Sequence, residues 1–152
     1  MKSYGVDTTY VQTTIGAKTG HAYITLNEAG QNDIIIDHGA NYELTVEDLK
    51  AASDLINNWD CIIAQFETPI DVTTSAFKMA KKAGKVTILN PAPAIDKIPA
   101  DLLKYTDIIM PNETESAKIT GIPIKDNSTL ATNAEKLHLL GVKNVIITYG
   151  DK

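Results

Sequence analysis

Polar and apolar residues roughly alternate from Gly20 to Leu26, and three isoleucines lie between Asp33 and Asp37. The intervening Asn27-Glu28-Ala29-Gly30-Gln31-Asn32 stretch is turn chemistry, so the segment predicts a β-hairpin. Thr45 is placed as an N-cap, Glu47 and Asp48 suit the first turn of a helix, and Leu49, Ala52, Leu55 and Ile56 recur at helical spacing. A helix over about 45–57 follows. Beyond it the order changes to short apolar runs alternating with amphipathic stretches closed by glycine, the pattern of βαβ units. The runs are Cys61–Gln65, Val86–Asn90, Asp107–Met110 and Asn144–Thr148, each nearly all apolar. Such strands belong in a parallel sheet covered by helices on both faces. Asp71–Ala83 and Ser128–Leu140 present apolar stripes ahead of Gly84 and Gly141, which read as helix stops. The fold class is therefore α/β, a largely parallel sheet with a small hairpin before it. The hairpin has too few strands to be stable alone and needs cover on one face.

A chain of 152 residues with 43% hydrophobic and 22% charged content fits one folded domain. The net charge of −5, with 14 basic residues that form no stripe, argues against nucleic acid as a partner. A single nucleotide needs only local positive potential, which a helix start, a metal ion or one lysine supplies. Cys61, the sole cysteine, lies in an apolar run and is expected to fill space in the core. The first residues lack an apolar signal region and no run of 18 apolar residues occurs, so the expected location is the cytoplasm, away from membranes.

In an open parallel sheet, ligands bind outside the carboxyl ends of the strands. The residues there are Phe66-Glu67-Thr68, Pro91-Ala92-Pro93, Pro111-Asn112-Glu113-Thr114-Glu115 and Tyr149-Gly150-Asp151-Lys152. Taken singly, Glu67 reads as a solvated loop acid, and Asn112 and Glu115 as a helix cap with a first-turn carboxylate. A helix opened by Asn-x-x-Glu is also an anion-binding terminus, so the two readings coexist. His21, His38 and His138 show no metal-ligand spacing, Trp59 and the tyrosines form no stacking stripe, and Glu67 with Asp71 is a poor case for a glycosidase pair.

Pro111-Asn112-Glu113-Thr114-Glu115 followed by Ile119-Thr120-Gly121 resembles the N-x-x-E segment of the ribokinase-like (PfkB) carbohydrate kinases. Asn90-Pro91-Ala92-Pro93-Ala94, Gln65-Phe66-Glu67-Thr68-Pro69, His38-Gly39-Ala40-Asn41 and Thr148-x-Gly150 extend the resemblance, towards the ribokinases in particular, through essentially all of residues 1–152. The resemblance implies one partial kinase domain over 1–152, with 20–38 as the hairpin of a lid that often mediates homodimerisation. It implies transfer of the ATP γ-phosphate to D-ribose, giving ribose 5-phosphate. Glu67 would bind sugar hydroxyls, Asn112, Thr148, Gly150, Asp151 and Lys152 the nucleotide, and Glu115 the Mg²⁺ or its water shell. A carboxylate accepts two hydroxyl protons at once, and Mg²⁺ keeps several waters beside one or two carboxylates and phosphates. No catalytic residue of the family pattern falls within the chain. The Asp base, its Gly-Ala-Gly-Asp anion hole and the K⁺ site belong beyond Lys152, and a first Gly-Gly sugar loop before residue 1. The chain alone is thus expected to have little activity. Two other readings stay open: a kinase of the same fold acting on another sugar or a nucleoside, and a non-catalytic α/β nucleotide-binding module.

Overall fold

The structure, a computed structural model, describes residues 1–30 and 32–150. The chain divides into two compact units, Met1–Leu44 and Thr45–Lys152. In the first, β1 (His21–Leu26) pairs antiparallel with β2 (Asn32–Asp37), in a register that sets His21 opposite Asp37 and Ile24 opposite Ile34. Alternation therefore collects Ala22, Ile24, Leu26, Ile34 and Ile36 on one face. That face is apolar and open, with Ile24 62% and Leu26 70% exposed.

The base of the hairpin is closed by the His38-Gly39-Ala40-Asn41 turn, which folds back on Lys18 and Gly20. The Ala40 N–H donates to the Lys18 carbonyl at 2.7 Å. Gly39 has φ +46°, and a Cβ there would strike the Lys18 carbonyl oxygen, so the turn needs a residue without a side chain. His38 and Tyr42 stack with ring centroids 4.0 Å apart.

The second unit runs α1 (Val46–Ala51), β3 (Cys61–Ala64), α2 (Ile70–Lys82), β4 (Val86–Leu89), α3 (Ala100–Lys104), β5 (Ile108–Ile109), α4 (Glu113–Thr120), α5 (Asn127–Leu139) and β6 (Asn144–Val145). The four strands form one parallel sheet in the order β3-β4-β5-β6. The predicted hairpin, sheet and two glycine-ended helices are all present. Gly84 (φ +71°) and Gly141 (φ +102°) stand just past the helix ends as expected. The helix predicted over 45–57 is shorter: α1 starts on a Thr45–Asp48 capping box but gives way after Ala52 to a 3-10 helix over Ser53–Asn58.

The sheet strands are also shorter than the apolar runs, yet their hydrogen bonds continue past the strand ends. Met110 donates to the Leu89 carbonyl, Ile146 to Ile109 and Thr148 to Pro111.

The core consists of Phe66, Phe77, Leu89, Ile98, Leu102, Leu103, Ile109, Leu137 and Val142, with Ile62, Ala64, Val145 and Ile147 packed against it. Helices flank the sheet as the pattern predicts, but the cover expected on both faces is found on one among the described residues. On the other face the alternate residues Cys61, Ile63, Val86 and Ile146 are exposed, Ile63 to 63%. Cys61 therefore belongs to this open face rather than to the core. No helix among the described residues is long and apolar enough to cross a membrane.

At the opposite, amino edge, Asp107 locks three elements together. Its carboxylate accepts from the Lys81 ammonium of α2 (2.6 and 2.9 Å) and from the Thr87 N–H of β4 (2.9 Å), while its own N–H donates to the Thr87 hydroxyl (2.9 Å). Partial burial works to raise the Asp107 carboxyl, but the Lys81 hydrogen bond and charge and the two Thr87 donors outweigh it and hold the group below the usual carboxylate range.

Candidate active site

Parallel strands all deliver the chain to the same edge, so the residues that follow them gather there without further design. After β3 the chain turns at Phe66, which is buried and donates its N–H to the Ala92 carbonyl at 2.8 Å. That bond ties the turn after β3 to the turn after β4 and sets the half-buried Glu67 at the rim. The chain leaves β4 through Asn90-Pro91-Ala92-Pro93, with a cis Ala92–Pro93 peptide.

After β5, Asn112 caps α4 in a reciprocal box. Its Oδ1 accepts from the Glu115 N–H at 2.8 Å, and the Glu115 carboxylate accepts from the Asn112 N–H at 2.9 Å and from Asn112 Nδ2 at 3.1 Å. The box forms because a short amide at the cap and a carboxylate three residues on satisfy each other's donors. It takes up the Glu115 N–H and leaves those of Glu113 and Thr114 at the positive end of the helix.

Thr148 meets this cap directly: it forms a parallel bridge with Asn112, and its N–H reaches the Pro111 carbonyl at 3.0 Å. Gly150 follows in the left-handed conformation, φ +54°, which favours glycine.

The structure thus brings Glu67, Asn112, Glu115, Thr148 and Gly150 to the carboxyl edge of a single sheet, with Asn112 and Thr148 bridged just past the adjoining strands β5 and β6. Asp151 and Lys152, the remaining sequence-predicted nucleotide residues, lie outside the described residues. The capping role and the ligand role foreseen for Asn112 and Glu115 are compatible. A carboxylate offers about four lone-pair sites, and the cap engages two of them. No group of three or more His, Cys, Asp or Glu side chains among the described residues is disposed to hold a metal. A Mg²⁺ ion would fit here only as it commonly sits beside nucleotides, carried by phosphates and water with Glu115 against its water shell.

One supporting feature is not among the residues singled out from sequence. Asn133 of α5 is fully buried, and all of its hydrogen-bonding capacity is used. Its Oδ1 accepts from Ser116 (2.9 Å) and Thr120 (2.6 Å) of α4, and its Nδ2 donates to the carbonyls of Ile122 (3.0 Å) and Thr129 (2.9 Å). This hub holds α4, and with it the Asn112 cap, against α5. Its sequence signal is a lone amide inside the apolar stripe Leu130, Ala134 and Leu137, paired with hydroxyls four residues apart on the preceding helix.

The pfkB family carbohydrate kinase model matches residues 1–152. The chain belongs to that family. It is 46% identical to a bifunctional ribokinase/ribose-5-phosphate isomerase A of Fructilactobacillus sanfranciscensis, covering 99% of this chain and 28% of that protein. It is likewise 46% identical to the ribokinase of Staphylococcus aureus, over 95% of this chain and 47% of the relative. Among solved structures it resembles Arabidopsis thaliana ribokinase complexed with ribose and ATP, at 34% identity and a TM-score of 0.77, over 90% of this chain and 44% of the other. The pfkB-family chain described here thus spans about half the length of these ribokinases or less.

Proposed function

We propose that this chain is the central part of a ribokinase, the sheet edge carrying Glu67 for the sugar and Asn112, Thr148 and Gly150 for ATP. The observation that supports this most directly is the Asn112–Thr148 bridge, which joins two nucleotide candidates on the edge that also carries Glu67. In this reading Glu67 accepts two sugar hydroxyl protons and rejects sugars whose missing hydroxyl leaves the carboxylate unpaired. The free N–H groups at the start of α4 face phosphate, and the left-handed turn at Gly150 lets the backbone approach it. Asp151 and Lys152 are assigned to the nucleotide by the same resemblance. Glu115 orients waters on a Mg²⁺ ion, which supplies neutralisation of phosphate charge when bound.

Potassium dependence, a cytoplasmic location and a homodimer formed through the hairpin belong to the same proposal. For the dimer, the open apolar face of Ile24, Leu26 and Ile34 is the supporting surface.

The test is a coupled assay with ATP and Mg²⁺ on the full-length gene product, with ribose, fructose, a 2-keto-3-deoxy acid and a nucleoside offered in parallel, and on residues 1–152 alone. Ribose should give the highest kcat/KM with the full-length product, potassium should raise it, and residues 1–152 alone should give little turnover. Preference for another acceptor, or turnover by the isolated chain near that of an ordinary kinase, would overturn this reading.

A further inference from the structure

Asn90 stands one residue beyond β4, between the strand that delivers Glu67 and the strand that delivers Asn112. Its backbone is held on both sides: the N–H donates to the Ala64 carbonyl at 2.9 Å and the carbonyl accepts from Ala92 at 2.9 Å. Pro91 behind it is buried. The side chain is half-buried, yet its amide makes no hydrogen bond among the described residues, unlike those of Asn112 and Asn133. This amide, open to water on a fixed backbone, stands between Glu67 and the start of α4 and engages no other group among the described residues. It also offers two donors that neither Glu67 nor Glu115 can provide.

We infer that Asn90 is a further substrate-contacting residue, its Nδ2 donating to an oxygen of the phosphoryl group in flight between nucleotide and sugar. The inference rests on the kinase reading above. In that transfer the ribose 5-hydroxyl oxygen bonds to the γ-phosphorus as the bond to the β–γ bridging oxygen breaks. The hydroxyl proton passes to a carboxylate base, and ADP leaves with the electron pair. Charge spreads over the equatorial oxygens during that passage, and a fixed neutral donor is worth most at that moment. Asn90 therefore acts on turnover more than on binding of either substrate.

The experiment is steady-state kinetics of the full-length gene product and its Asn90→Ala variant with ribose and MgATP, beside thermal melts of both. The variant should lose about 100-fold in kcat, with both KM values within about threefold and an unchanged melting temperature. A kcat within about threefold of wild type, or a loss that falls on KM alone, overturns the inference. If the variant fails to fold, a crystal structure of the wild type with ribose, Mg²⁺ and a non-hydrolysable ATP analogue decides. Asn90 Nδ2 within hydrogen-bond distance of a γ-phosphoryl oxygen upholds the assignment, and an amide turned away from both ligands ends it. A wild type inert on ribose removes the kinase reading and this inference together, whereas an active wild type with an indifferent Asn90→Ala variant removes the inference alone.

Discussion

Asp107 is the residue whose chemistry most directly couples stability to pH. Its carboxyl is held below the ordinary aspartate value of about 3.9 in the folded chain. A depressed folded value means the unfolded state binds the proton more readily, so the ionised group stabilises the fold in full above about pH 4. That contribution is lost as the pH falls through the lower folded value. Asp107→Asn should therefore cost about 1–2 kcal/mol at pH 7, a hydrogen-bonded ion pair discounted for its partial exposure. The same substitution should flatten the acid limb of a urea-midpoint profile below pH 4. An unchanged acid limb would mean that Lys81 and Thr87 hold the group less firmly than their 2.6–2.9 Å contacts indicate.

Among the elements, α4 and α5 are joined by polar atoms where most helix pairs rely on side-chain packing. Removing the Asn133 amide strands the fully buried Ser116 hydroxyl, at about 1–3 kcal/mol for a group left unsatisfied, whereas Thr120 keeps its bond to the Ser116 carbonyl. Ser116→Ala, Asn133→Ala and the double variant should thus be non-additive in urea denaturation, the pair losing less than the sum of the singles. Simple additivity would show that the 2.9 Å contact carries no energy of its own.

These elements also mark how far the sequence can be read. Helix starts and stops were legible because caps and glycines act locally: Thr45, Asn112, Gly84 and Gly141 stand where the chain pattern puts them. The site edge was legible because parallel strands must release their chains on one side. Three things depended on tertiary partners that no local pattern encodes. They are the break after Ala52, the short helix α3 with its buried Leu102 and Leu103, and the bareness of one sheet face. An apolar run shows that a strand can be buried, and leaves open which of its sides is.

For the molecule as a whole, a four-stranded sheet with one apolar side open goes with a chain that spans about half the length of the ribokinases it resembles. Exposed Ile63, Val86 and Ile146 make this face an adhesive surface in water, and nature rarely leaves all-parallel sheets in that condition. Cys61 sits on that same face and is the one sulfhydryl in the sequence, so the surface carries its own probe. A segment laid over the sheet would shield that sulfur from alkylation. Iodoacetamide should modify Cys61 rapidly in residues 1–152 and many times more slowly in the full-length gene product, read by mass on the peptide that carries Cys61. Equal labelling rates would mean that the bare side stays wet in the full-length gene product.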